Sequence, residues 1–165
     1  MRLIRAVLVM AALVALSACS SSKFRSYDGP EVTRVVVTKS ERRMKLFHHD
    51  EMLASYRVAL GFAPVGHKQF EGDGRTPEGE YIIDRRNPNS AFHLSLGISY
   101  PNENDAWYAE TNGKSPGGDI FIHGRGPRFR TARGDWTDGC ITVTDRQMER
   151  IYAMVRTGTP VTIRP

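Results

Sequence analysis

Two segments of the 165-residue chain carry residue types that do chemistry together: Ile122-His123-Gly124 and Trp136-Thr137-Asp138-Gly139-Cys140-Ile141. A cysteine attacks a carbonyl as thiolate, and a neighbouring imidazole can take its proton and hold the resulting ion pair. Gly139 lets the backbone turn tightly, which leaves the amides of Gly139 and Cys140 free to face a developing oxyanion. Loss of one such donor costs about 3–4 kcal/mol of transition-state stabilisation. On residue types alone, a buried structural cysteine beside an unrelated histidine fits equally well. His67 and His93 could in principle join His123 and Cys140 around zinc. None of them lies at the short spacing of zinc motifs, so no metal and no cofactor are expected.

Short strands must bring this pair together. Val32–Thr38, Lys45–Phe47 and Ala54–Leu60 are rich in β-branched and apolar residues, with His48-His49-Asp50 as a hairpin turn. Glu71–Gly79 is a turn-rich loop before a strand at Glu80–Asp84, and Ala91–Tyr100 reads as a further strand closed by Pro101. Asp119–Ile122 is a buried-type strand that delivers His123 to its end. Asp105–Glu110 suits a short helix, and Asp145–Arg156 a longer one. Thr144 and Gln147 stand at capping-box spacing there, Met148, Ile151 and Val155 form a core stripe, and Gly158 stops the helix. Val161–Ile163 is a last strand. The expected fold is mostly β with α: a single β-roll or sandwich with one long C-terminal helix.

The N-terminus reads as an address. Arg2 and Arg5 precede an apolar run, Ala6–Leu16, and small residues lead to Cys19. Leu16-Ser17-Ala18-Cys19 resembles a bacterial lipobox, which implies a signal peptide over residues 1–18 and a lipid on Cys19. Residues 19–30 are then the lipidated N-terminus and a Ser-rich flexible tether, and residues 31–165 the domain. Ser20 favours the inner leaflet of the outer membrane, facing the periplasm. Cleavage removes two basic residues and no acid, so the net charge of +5 becomes +3. That modest balance outside the cytosol argues for anionic wall or lipid partners and against nucleic acid. It also leaves Cys140 as the one remaining thiol in an oxidising compartment, a liability unless it is used.

The order His-Gly, seventeen residues from His123 to Cys140, and Thr137-x-Gly-Cys resembles the signature of the L,D-transpeptidase catalytic domain, the YkuD family. Upstream, Thr76-Pro77-Glu78-Gly79-Glu80-Tyr81 is similar to that family's Thr-Pro-x-Gly-x-Tyr/Phe segment. Leu96–Asn102 is similar to its YafK-like branch. The resemblance covers roughly residues 32–163.

Residue by residue, it implies Cys140 as nucleophile, His123 as base, the Gly124 carbonyl as orienter of the imidazole, and the Gly139 and Cys140 amides as oxyanion hole. Thr137, Asp138, Arg125 and His93 are the candidates for substrate contact, although His93 also suits a satisfied strand-end histidine. Arg125, Arg128, Arg130 and Arg133 crowd the intervening loop, where a guanidinium can grip a carboxylate. Two positions depart from the family: Asp138 stands where many members have a second His, and Thr142 where many have Arg.

The implied activity is peptidoglycan transpeptidation through a cysteine thioester, at the L-centre of a diaminopimelate-type residue in a stem peptide. Hydrolysis of the same bond type is the alternative, as release of wall-linked lipoprotein or as an L,D-carboxypeptidase. A non-catalytic wall-binding lipoprotein is the other. Stem peptides, wall-linked lipoprotein and a membrane reached through the lipid anchor are the implied partners.

Overall fold

The computed structural model describes residues 22–165. The expected signal peptide and Cys19 lie outside the described residues. The element order is β1 (Arg34–Thr38), β2 (Arg43–His48), β3 (Glu51–Arg57), β4 (Gly79–Asn87), β5 (Ser95–Ile98), α1 (Glu103–Thr111), β6 (Phe121–His123), β7 (Ile141–Thr142), α2 (Asp145–Met154) and β8 (Pro160–Arg164).

Period-two alternation builds the first strands. Val35 and Val37 of β1, Met44 and Leu46 of β2, and Val161 and Ile163 of β8 point into one core, while the residues between them face outward. β2 and β3 form the expected hairpin, with His49 in the left-handed region (φ 50) at its turn. The eight strands make one sheet in the order β3-β2-β1-β8-β4-β5-β6-β7. The pairs β1/β8 and β6/β7 are parallel and the others antiparallel.

The sheet curls until its ends approach. Beyond β3, Ala59 exchanges both backbone hydrogen bonds with Thr142 of β7 (3.0 and 2.9 Å), and Gly61 bridges to Thr137. The curl therefore carries the segment after β3 up against the turn that holds Cys140.

Both expected helices form, but at similar length, nine residues in α1 and ten in α2, so no single long C-terminal helix stands out. α2 keeps the Thr144/Gln147 capping box and buries Met148, Ile151 and Tyr152. It ends at Met154 because Val155 is already extended (φ −98, ψ 131). Val155 is fully buried but outside the helix, and Gly158 (φ 91) turns the chain into β8. α1 is capped by Asn102, whose side chain accepts the Asp105 N–H while the Asp105 carboxylate accepts the Asn102 N–H. The expected Ala91–Tyr100 strand shortens to Ser95–Ile98, all four residues buried.

The expected tether is described from Ser22 onward. Lys23 donates to the Pro88 and His93 carbonyls, and Arg25 pairs with Glu149 of α2 at 2.8 Å. Among the described residues no helix is long and apolar enough to cross a membrane.

Candidate active site

Register places the two reactive side chains. In the parallel β6/β7 pair, Ile122 lies opposite Ile141 and His123 opposite Thr142. Cys140 therefore precedes β7 beside Phe121, and alternation puts Phe121 and His123 on one face of β6. His123 is 3% exposed, and its Nδ1 lies 2.5 Å from the Gly124 carbonyl oxygen. A carbonyl only accepts, so Nδ1 carries the proton and Nε2 is the free basic nitrogen of the neutral ring. The buried Thr142 hydroxyl donates to the same carbonyl at 3.2 Å. The position read as a departure from the family thus supports the oxygen that fixes the imidazole.

Cys140 sits on a turn closed by Thr137. The Thr137 hydroxyl donates to the Cys140 carbonyl at 2.6 Å and accepts the Gly139 N–H at 3.3 Å. Gly139 has φ 136, and a Cβ there would meet the Arg75 carbonyl oxygen at 2.7 Å, so the turn needs glycine for both conformation and space. The half-buried thiol donates to the Asp119 carbonyl at 3.5 Å and accepts the Phe121 N–H at 3.4 Å. Among the described residues no hydrogen bond joins Sγ to the imidazole.

Burial pushes the Cys140 thiol up to about 11. The Phe121 N–H opposes that rise, Asp138 and Asp119 add to it, and Lys68 opposes it. Burial also lowers the His123 pKa, against the pull of the Gly124 carbonyl and Asp145. The resting pair is therefore neutral thiol and neutral imidazole rather than the ion pair expected from residue types, because burial disfavours both charges.

His123 and Cys140 line a cavity of about 530 Å³ and also a second one of about 420 Å³, which meet at Phe92, Asp119 and the two reactive residues. The larger carries charge: Lys68, Glu71, Asp119 and Asp138 line it, with an aromatic wall of Phe92, Phe129 and Trp136. Phe129 stacks on Trp136 (centroids 4.7 Å apart) and Phe92 packs against the His123 ring (4.4 Å). The smaller is lined by neutral residues such as Asn87, Ser90 and Ser95, apart from the shared Asp119 and His123.

The sequence candidates divide accordingly. Cys140, His123, Thr137 and Asp138 line the larger cavity, with Asp138 exposed and the Thr137 hydroxyl committed to the turn. Arg125 lines a different cavity. His93 faces away and binds Glu149 of α2 at 3.1 Å, the satisfied-histidine arrangement. His67 lies between the Glu78 N–H and Asp105. Trp107 is 67% exposed on α1, and Tyr108 stacks on Phe70. Among the described residues no cluster of three metal-ligating side chains occurs. Lys68, Glu71, Asp119, Phe92 and Phe129 escaped sequence reasoning, since they come from separate loops that share no local pattern.

Comparison with known proteins agrees with this geometry. The chain is 26% identical over 128 residues to the L,D-transpeptidase-type protein YafK of Escherichia coli (strain K12), covering 73% of this chain and 46% of that protein. The chain thus spans about half the length of the curated relatives it matches. Among solved structures, the helical cell shape determining protein Pgp2 of Campylobacter jejuni (K307A mutant) superposes with a TM-score of 0.64 at 25% identity. That match covers 90% of this chain and 52% of the other. An L,D-transpeptidase from Mycobacterium smegmatis shares the fold, with a TM-score of 0.54 at 14% identity over 83% of this chain and 60% of that one. The L,D-transpeptidase catalytic domain (YkuD) matches residues 32–163, through both segments that carry His123 and Cys140. A rolled sheet with this cysteine turn and this match over most of its length makes the chain a member of the L,D-transpeptidase catalytic domain family.

Proposed function

We propose that the chain is a peptidoglycan L,D-transpeptidase working through a Cys140 thioester. The observation that carries this reading is the Gly124 carbonyl bond to His123 Nδ1, which leaves Nε2 as a base on the wall it shares with Cys140. The thiol turns from the Asp119 carbonyl toward Nε2 and loses its proton as sulfur attacks the carbonyl at the L-centre of a diaminopimelate-type residue. Because the resting pair is neutral, the thiolate forms only during attack. The Cys140 amide serves the oxyanion. The Gly139 amide joins it by exchanging its long bond to Thr137 Oγ1 for the substrate oxygen. His123 then protonates the leaving amine as the C–N bond breaks, and an acceptor amine attacks the thioester to expel the thiolate.

Two cavities meeting at Cys140 favour transfer over hydrolysis, because donor and acceptor can approach from different sides. The carboxylates of Glu71, Asp119 and Asp138 suit an amine in the larger one. A signal peptide at residues 1–18 and a lipid on Cys19 would hold the domain at the inner leaflet of the outer membrane, facing the periplasm.

The test is incubation of the protein and its Cys140→Ala variant with disaccharide-tetrapeptide, followed by mass spectrometry. Dimers formed with loss of alanine, absent from the variant, are the expected result. Cys140-dependent products that gain only water would replace transfer by hydrolysis. No Cys140-dependent product, from this substrate or from lipoprotein-linked muropeptides, would leave a wall-binding protein.

A further inference from the structure

Behind the catalytic turn lies a separate cavity of about 390 Å³ that shares no lining residue with either cavity at Cys140. Arg42 and Arg57 after β1 and in β3, Arg125 after β6, Asp135, Thr142 of β7 and Gln147 of α2 line it. Three guanidinium groups face one carboxylate there, and that carboxylate is fully engaged. Asp135 accepts Arg42 Nε at 2.9 Å and the Leu60 N–H at 2.9 Å, and Arg42 NH2 lies 2.8 Å from it. Arg57 and Arg125 form no ion pair among the described residues. Arg125 Nε is buried with no hydrogen-bond partner there, while one of its terminal nitrogens donates to the Arg130 carbonyl at 3.2 Å.

A guanidinium offers donors only, and neither Arg57 nor Arg125 has an ion-pair partner among the described residues. A group entering this cavity is therefore favoured by acceptor oxygens and negative charge, with a planar or tetrahedral oxyanion matching the guanidinium fork. Gln147 also lines the cavity, with its side-chain oxygen committed to the Thr144 N–H.

We propose that this cavity is an oxyanion site, holding a carboxylate or phosphate group between Arg57 and Arg125. It is distinct from the Cys140 cleft and stands whether or not Cys140 acylates. Its floor includes Thr142, whose hydroxyl supports the Gly124 carbonyl, so the bound anion sits behind the residue that orients His123.

The test uses the full-length Cys140→Ala protein, labelled with ¹⁵N, and follows the arginine Nε–H resonances. One arm titrates inorganic phosphate at constant ionic strength. The other titrates disaccharide-tripeptide, whose carboxylates cannot be turned over by this variant. A saturable shift of the Arg125 Nε–H signal in either arm is expected, and the arm that saturates at lower concentration identifies phosphate or wall carboxylate as the source. Arg57→Gln, an exposed substitution that leaves the core intact, should weaken that binding about tenfold. Arg34→Gln, at an exposed pair with Asp50, should leave it unchanged. No saturable shift in either arm, or equal weakening by Arg34→Gln, would overturn the site.

Discussion

Two loops flank Cys140, and charge and ring stacking hold them in different proportions. The 66–79 loop is tied down by charge and directed hydrogen bonds. Lys39, 2% exposed, donates to the Gly66 and Thr76 carbonyls and to Glu78 at 2.7 Å. Lys68 binds the Phe70 carbonyl and Asp73. Burial opposes the Asp73 carboxylate, yet the N–H groups of Gln69, Arg75 and Phe70, with Lys68, outweigh it and hold its pKa below the usual range. The loop from Arg125 to Trp136 is anchored at its base, where Asp145 accepts the Arg125 and Gly126 N–H groups. At its far end Asp135 binds Arg42 and the Leu60 N–H. The stretch between rests on ring stacking among Phe92, Phe129 and Trp136, and Trp136 Nε1 and Arg125 Nε have no partner among the described residues. Directed bonds fix positions, whereas stacked rings fill space and tolerate sliding. The first loop is the template that packs its Arg75 carbonyl against Gly139 of the Cys140 turn, and the second is the wall that can adapt to what enters.

The strongest way to break this contrast is to remove the lysine beneath the template. Lys39→Met leaves Glu78 and two carbonyls without their cation, and should cost about 3–5 kcal/mol in urea unfolding. Phe129→Leu on the other wall should cost about 1 kcal/mol. Equal losses would mean that the two loops are braced alike. Gly139→Ala tests the contact between template and turn. At φ 136, with a Cβ 2.7 Å from the Arg75 carbonyl, the strain is about 1–3 kcal/mol. The larger consequence is displacement of the thiol, which should cut the rate of any Cys140-dependent product by about a hundredfold. Product formation at the normal rate would show that the template does not set the nucleophile.

The same contrast explains what was legible in the sequence. Val35 and Val37 announced β1 by alternation, and Thr144 and Gln147 announced the start of α2 by spacing, because each signal is local. Gly139 and Cys140 were readable because a tight turn before a thiol needs those residue types in that order. The template loop was read as turn-rich and, at Thr76–Tyr81, as resembling a family segment, and neither reading named what braces it. Lys39 meets Glu78 across 39 residues and the sheet, and no pattern along the chain records that pairing. Arg125 and His93 were drawn toward the cleft by their nearness in sequence to His123 and to the β5 strand. Asp145 holds the Arg125 backbone while the arginine side chain lines the cavity behind the turn, and Glu149 takes the His93 ring. Thr142 read only as a departure, standing where many family members have Arg. Its role followed only once the parallel register put it opposite His123.

Trp136→Leu sharpens the adaptive side. It removes the stack on Phe129 and the edge contact with His123 at 6.0 Å, each worth about 0.5–1.5 kcal/mol. If the wall serves binding, KM should rise about tenfold with kcat nearly kept. A fall in kcat with KM unchanged would instead make Trp136 a support of His123.

The smallest expected effect concerns the charge on the Cys140 turn itself. A thiol pushed up to about 11 from its ordinary value of 9.0 holds its proton across neutral pH. Alkylation by iodoacetamide should therefore keep climbing through pH 9, where an unperturbed cysteine levels off. Burial is the leading cause and Asp138 a lesser one, acting from an exposed position that solvent screens. Asp138→Asn removes one like charge, lowers the thiol pKa and raises the thiolate fraction below that pKa. Alkylation near neutral pH should then quicken by about two- to threefold, with no change once the thiol is fully ionised. A wild-type profile that already levels off near 9 would remove burial as the controlling force, and one that levels off below neutral pH would return the pair to a resting thiolate and imidazolium. A much larger acceleration in Asp138→Asn would mean that this carboxylate, rather than the closed packing around the turn, keeps the nucleophile protonated until substrate arrives.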